Sequence, residues 1–171
     1  VSLRTDLIET GSIFQTTSDT EVILQLVARS RKRKIVDKVI DTLEKIEGAY
    51  ALIIMTNKKL IGVKDPFGIR PLVLGKKDGG YVLASETCAF DIIGAEYIRD
   101  VENGEMVIIT ERGLESKKIN HEHTNRPCIF ERIYFSRPSS LIDGKTVYTY
   151  RKNLGEVLAK EHAIDVDVIV P

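Results

Sequence analysis

"AYALIIM", Ala49 to Met55, is the stretch on which the fold turns. Upstream of it the apolar residues recur at helical spacing; from it onward they come in short runs broken by turn signals. Val22, Ile23, Leu26 and Val27 share one helical stripe, and Val36, Val39, Ile40, Leu43 and Ile46 share another, ended by Gly48. The nearly continuous apolar run 49–55 then predicts a strand buried on both faces. "TNKK" turns it into "LIGVKD", and "DPFG" is a turn in which Pro66 presets one dihedral and Gly68 permits another. "RPLVLGK" and "YVLAS" flank "KDGG" as a hairpin, "ETCAFDIIG" reads as a short helix, and "EYIRDV" and "EMVIIT" are expected to pair across "ENG". The sum is an α+β architecture, with helices layered against a mostly antiparallel sheet.

Before this region, "SLRTDLIETG" predicts a helix with Leu3, Leu7 and Ile8 on one face, and "SIFQ" a short strand. Beyond the polar connector "NHEHTNRP" the character changes. "CIFERIYFSRPSS" is aromatic and basic, "VYTYRKNLGEVLAKEH" predicts a helix with Leu154, Val157, Leu158 and Ala163 facing inward, and "DVDVIVP" predicts a buried strand. A helix followed by an apolar strand begins an α/β unit, so a domain boundary is expected near residue 125. Both chain ends read as interruptions within elements, and the 171 residues are expected to be a piece of a longer polypeptide.

The bulk numbers exclude more than they select. Lys plus Arg and Asp plus Glu number 25 each, so no overall field favours nucleic acid or an anionic membrane. The basic run Arg31–Lys34 reads as a solvated helix end. Cys88 and Cys128 are too few for a disulfide framework, which predicts a reduced, cytoplasmic setting. No apolar stretch approaches the roughly 20 residues needed to span a bilayer.

The polar cluster "QTTSDTE", Gln15 to Glu21, holds the first candidate site. Ser18 and Glu21 fit a capping box, in which hydroxyl and carboxylate each satisfy an orphan backbone N–H. Asp19 is left over, either as helix-start charge favoured by the dipole or as a grip on a ligand. Among the other candidates, Cys88 reads as a packed thiol and Arg70 as a scaffold residue holding its turn. His121 and His123 form an H-x-H that could bind a metal on a strand face but reads as solvated in this polar connector, and His162 falls on a helix.

"TTSDTE", "EGAYALIIM", "KDPFGIRPLVLG", "LASETCAFD" and "IRDVENGEMVIIT" occur in that order. Together they resemble the second half of a class II glutamine amidotransferase domain, an Ntn-hydrolase-type glutaminase. The stretch from Cys128 onward is similar to the branch in which that glutaminase is fused to a phosphoribosyltransferase. The resemblance implies residues 1–125 as the C-terminal part of the glutaminase, and 126–171 as the linker with the first helix and strand of the α/β phosphoribosyltransferase domain. It implies an N-terminal cysteine nucleophile upstream, release of ammonia from glutamine, and transfer of that ammonia to phosphoribosylpyrophosphate to give 5-phosphoribosylamine. Asp19 then holds the amino group of glutamine, and Tyr134 lines an ammonia tunnel, or else is a buried aromatic with its hydroxyl satisfied. Cys128 is one ligand of a [4Fe–4S] cluster, or else an ordinary half-buried thiol. Mg2+ belongs to the transferase domain, and the full-length enzyme is a homo-oligomer. Arg132 and Ser139 depart from the pattern, where an aromatic and an aspartate are usual, which puts a local salt bridge in question.

With its nucleophile elsewhere, the chain alone is expected to catalyse neither half-reaction, and to aggregate or order only partly. A different class II amidotransferase, or a non-catalytic α+β binding module, are the competing readings.

Overall fold

The computed structural model describes residues 2–119 and 124–170; His121 and His123 therefore lie outside the described residues. The chain divides after Gly48 into two compact units, whereas the boundary read from the sequence near residue 125 runs through the second of them.

The first unit is helical: α1 (Ser2–Glu9), α2 (Asp19–Arg29) and α3 (Ile35–Leu43). The α3 stripe forms as its spacing predicts, with Val36, Val39 and Leu43 buried. In α1 only Leu7 is buried, and Ile8 is exposed. "SIFQ" is not a strand. Its backbone groups bond to side chains instead of a ladder: the Ile13 carbonyl accepts from Gln25 Nε2 at 3.0 Å, and the Gln15 N–H donates to Glu21 at 2.7 Å.

The second unit carries β1 (Ala51–Met55), β2 (Leu60–Lys64), β3 (Val73–Lys77), β4 (Gly80–Ala84), α4 (Cys88–Ile93), β5 (Glu96–Asp100), β6 (Glu105–Thr110) and β7 (Gly113–Lys118). A π-helical turn (Glu131–Phe135), the short pair β8 (Leu141–Ile142) and β9 (Lys145–Thr146), and α5 (Val147–Glu161) follow. The strands form an antiparallel sheet in the order β1-β2-β6-β7 and a second antiparallel sheet in the order β4-β3-β5. Leu72, Leu74, Val101 and Val107 form a shared core, against which Ala51, Tyr81, Leu83, Ile109 and Leu114 pack. The α+β expectation holds.

Both local hairpins form where the turn residues place them. β1 meets β2 across Thr56–Lys59, and β3 meets β4 around Asp78 and Gly79, both at positive φ. The pairing of "EYIRDV" with "EMVIIT" does not occur. A strand has two edges, and β6 fills both of its own with β2 and β7, so β5 pairs with β3 in the other sheet. What ties β5 to β6 is a side chain: the Glu105 carboxylate accepts from the two terminal nitrogens of the Arg99 guanidinium, at 2.8 and 2.7 Å, and from the Glu102 amide at 2.6 Å.

Three further expectations are corrected. β1 is the outer strand of its sheet, and Ile53 and Met55 are exposed, so it is not buried on both faces. In α5 only Val147 is buried; Leu154, Val157 and Leu158 are exposed, because nothing among the described residues packs on that face. Residues 164–170 find no partner strand among the described residues and form none.

Candidate functional site

In the first unit, the turn before α2 is built by Glu21 rather than by the reciprocal box that its spacing suggests. The Glu21 carboxylate accepts the Gln15 amide at 2.7 Å, the Thr16 amide at 2.8 Å and the Thr16 hydroxyl at 2.7 Å. Those bonds, the Gln15 amide foremost, hold its carboxyl below the usual range, and the Arg4 charge adds to them. Ser18 caps the helix through Thr20, two residues on, at 3.3 Å. The box is thus displaced by two to three residues, because the carboxylate reaches past Ser18 to the preceding turn. Arg4 braces the same turn, donating to the Thr16 carbonyl and lying 4.2 Å over the Phe14 ring.

Asp19 opens α2 from this braced turn. It is exposed and makes no hydrogen bond or ion pair among the described residues. Helix capping is done by Ser18 and turn bracing by Glu21, so neither local task needs the Asp19 carboxylate. An unpaired carboxylate at a held helix start is suited to an ammonium, whose three donors can form charge-assisted bonds.

The second unit carries a separate constellation around the turn Asp65–Arg70. Asp65 is fully buried, and its carboxylate accepts the amides of Phe67 at 3.0 Å, Ile69 at 3.2 Å and Arg70 at 3.2 Å. Gly68 sits at φ +69°, and a β-carbon there would run into the Asn103 side chain, which explains the glycine. The charge of Asp65 also bears on Tyr50: burial, then that negative neighbour, pushes the phenol up to about 12. Asp65, not Arg70, holds this turn; Arg70 is a scaffold residue of another kind, reaching to a later segment. Its guanidinium pairs with Glu131 at 2.8 Å and lies 5.6 Å over the Phe135 ring.

The π turn stands next to this pair. Glu131 is buried and accepts the Ser136 hydroxyl at 3.2 Å. Tyr134 is 77% exposed and meets Phe135 edge-on at 5.8 Å, so it is not a buried aromatic within these residues. Arg132, where the sequence departs from the pattern, pairs with Asp143 and lies 5.5 Å over the Tyr150 ring. Ser139 is exposed; its neighbour Ser140 is buried and donates to Glu86 at 2.7 Å. A cavity of about 250 Å³ opens here, with Lys64, Glu86, Asn103, Cys128, Glu131 and Arg132 in its wall.

Cys128 is half-buried and Cys88 buried, both as free thiols. No group of three or more His, Cys, Asp or Glu among the described residues is placed to hold a metal ion. A four-thiolate cluster therefore does not fit these residues by themselves, and Cys128 offers one ligand at most. No helix among the described residues is long and apolar enough to cross a membrane. Asp65, Glu86, Glu105 and Glu131 escape the sequence reading. Asp65 had a signal, an aspartate heading a Pro–Gly turn; the others bond to residues that no local pattern indicates.

A family profile described as a glutamine amidotransferase domain matches residues 1–91, and the chain belongs to that family. Its relatives narrow the class. The amidophosphoribosyltransferase of Rhizobium etli is 49% identical over all of this chain and 36% of its own length. That of Bacillus subtilis is 48% identical over 98% of this chain and 35% of its own length. The solved glutamine phosphoribosylpyrophosphate amidotransferase from B. subtilis, complexed with ADP and GMP, superposes with a TM-score of 0.94. It is 48% identical and covers 97% of this chain and 36% of its own. The chain spans about a third of the length of these relatives.

Proposed function

We propose that this chain is the part of an amidophosphoribosyltransferase that joins the glutaminase to the phosphoribosyltransferase. In the full-length enzyme a cysteine thiolate outside these residues attacks the side-chain amide of glutamine and releases ammonia. That ammonia displaces pyrophosphate from phosphoribosylpyrophosphate and gives 5-phosphoribosylamine, which opens de novo purine synthesis. The observation that carries the reading is the likeness to such enzymes, at nearly half identity across a span that takes in both the amidotransferase segment and the residues after 125. Asp19 holds the amino group of glutamine: it is exposed, presented by a braced turn and unpaired among the described residues. Tyr134 faces the ammonia path from the exposed side of the π turn. The enzyme is a cytoplasmic homo-oligomer, a setting that two free thiols suit, although the Glycine max relative is chloroplastic.

Mg2+ belongs to the transferase domain, where it supplies charge neutralisation at the pyrophosphate. Cys128 contributes one thiolate to a [4Fe–4S] cluster whose other ligands lie beyond these residues. Full-length Cys128→Ser is then expected to lose its iron and brown colour; iron content equal to the parent's removes the cluster from this position.

The function is tested by supplying the full-length enzyme with amide-labelled 15N-glutamine and phosphoribosylpyrophosphate. Label is expected in phosphoribosylamine, with one pyrophosphate released for each. Glutamine hydrolysis without any pyrophosphate release, or transfer of label to another sugar phosphate, contradicts the reading.

A further inference from the structure

Two loops within the segment matched by the amidotransferase profile reach residues that lie outside it. Glu86 Oε2 accepts the Arg137 amide and the Ser140 hydroxyl, each at 2.7 Å, and Thr87 Oγ1 accepts the Leu141 amide at 2.8 Å. The turn Asp65–Arg70 holds the preceding stretch. The Phe67 and Ile69 carbonyls accept the amides of Arg126 at 2.8 Å and Cys128 at 3.3 Å, and Arg70 pairs with Glu131. Between these two anchors stands the π turn, a geometry that is rare and concentrates at functional sites. Arg151 secures its far side by donating to the carbonyls of Arg132 at 3.0 Å and Ser136 at 2.8 Å. The aromatic face of Phe130, Tyr134 and Phe135 is exposed, yet the backbone beneath it is held at both ends.

Glu86 is the unusual member of this set. Ser140 and Thr87 are 1% and 5% exposed, and two donors from more than fifty residues away converge on a single carboxylate oxygen. A charge-assisted acceptor makes such bonds shorter and stronger than a neutral one does. Removing it leaves a buried hydroxyl without an acceptor and frees the loop that follows the π turn.

We propose that Glu86, with Thr87, is a positioning residue for ammonia transfer. It clamps loop 137–141 onto the amidotransferase segment and thereby fixes the π turn where hydrolysis hands over to synthesis. The inference rests on the reading of this chain as part of a glutamine-dependent phosphoribosylamine-forming enzyme. It requires no contact between Glu86 and either substrate.

The test uses the full-length enzyme and compares Glu86→Ala, Glu86→Gln, Thr87→Val and Thr87→Ser with the parent. Three rates are measured: glutamine hydrolysis, glutamine-dependent synthesis and ammonia-dependent synthesis. Glu86→Ala is expected to lower glutamine-dependent synthesis about tenfold, the equivalent of one charge-assisted hydrogen bond. Hydrolysis and ammonia-dependent synthesis change less than about twofold, since neither route needs the handover. Glu86→Gln keeps an oxygen acceptor and recovers part of the coupling. Thr87→Ser stays coupled and Thr87→Val does not; this pair carries the test if Glu86→Ala fails to fold. Three rates falling together in every variant would make the clasp purely structural and overturn the proposal, as would full coupling in Glu86→Ala. A parent that makes no product from either nitrogen source overturns the functional reading and the clamp with it, whereas an active parent with a coupled Glu86→Ala overturns the clamp alone.

Discussion

Asp19→Asn in the full-length enzyme is expected to raise the KM for glutamine about a hundredfold, the loss of one ammonium–carboxylate contact at the strong end of its range. The expectation follows from what Asp19 does not do. Ser18 caps α2 and Glu21 braces the preceding turn, so the fold draws on Asp19 only through its charge near a helix N-terminus. That charge contributes about 0.3–1 kcal/mol at an exposed site. Thermal stability should therefore change little while glutamine kinetics change greatly. Ammonia-dependent synthesis, which bypasses glutamine, should stay at the parent's rate. A variant with parental KM and a lowered melting temperature would reassign Asp19 to helix-start chemistry.

Glu105→Gln is expected to destabilise the fold by about 1–3 kcal/mol, because it removes the charge facing Arg99 and puts an amide donor among donors, while Arg99 keeps the Asp100 carbonyl at 2.9 Å and is itself partly exposed. Glu105 is 3% exposed, and its carboxylate collects two bonds from Arg99, one from the Ser116 hydroxyl at 2.6 Å and one from the Glu102 amide. Burial alone would raise this carboxyl; the Arg99 pairing foremost, with the other donors, outweighs it and holds the group down at about 2. The sign of the pH dependence follows. A carboxyl depressed in the folded state stabilises it above its unfolded value, about 4.3. That contribution is lost as pH falls from there toward 2. Acid titration of the unfolding midpoint should show this loss in the parent and lack it in Glu105→Gln. Replacing Arg99 and Glu105 together by apolar residues of similar size should cost less than the single change. A single variant as stable as the parent would show that the pair contributes nothing.

These two residues also mark how far a sequence can be read. Elements with a local signature were legible. The α3 stripe, the "TNKK" and "KDGG" hairpins, and the short helix closed by Gly94 each depend on residues within one turn of each other. Pairing decisions were not. Nothing in "EYIRDV" records that both edges of β6 are already occupied, and β7 carries little strand signal because Glu115, Lys117 and Lys118 give it a polar face suited to an outer strand. "SIFQ" and the tail 164–170 have strand composition without a neighbouring ladder. The α5 stripe has helical spacing with nothing among the described residues to cover it.

The candidate site divides in the same way. Ser18 was legible as a cap from its place at the helix start, whereas for Asp19, an equally good helix-start residue, local pattern leaves capping charge and ligand grip alike open. Arg70 was legible as scaffold but not in its task, since Asp65 holds the turn and Arg70 pairs with Glu131, sixty-one residues on. Glu86 was not, because its partners are Arg137 and Ser140 and only the folded chain brings them near.

The central claim concerns one carboxylate, and it is tested most directly by the structure of the full-length enzyme with glutamine or an unreactive analogue bound. An Asp19 oxygen is predicted at hydrogen-bonding distance from the α-ammonium, about 2.7–2.9 Å, with the Glu21 bonds to Gln15 and Thr16 unchanged. Glutamine seated with its ammonium on another acidic group, and Asp19 turned to solvent or to backbone amides, would contradict the account.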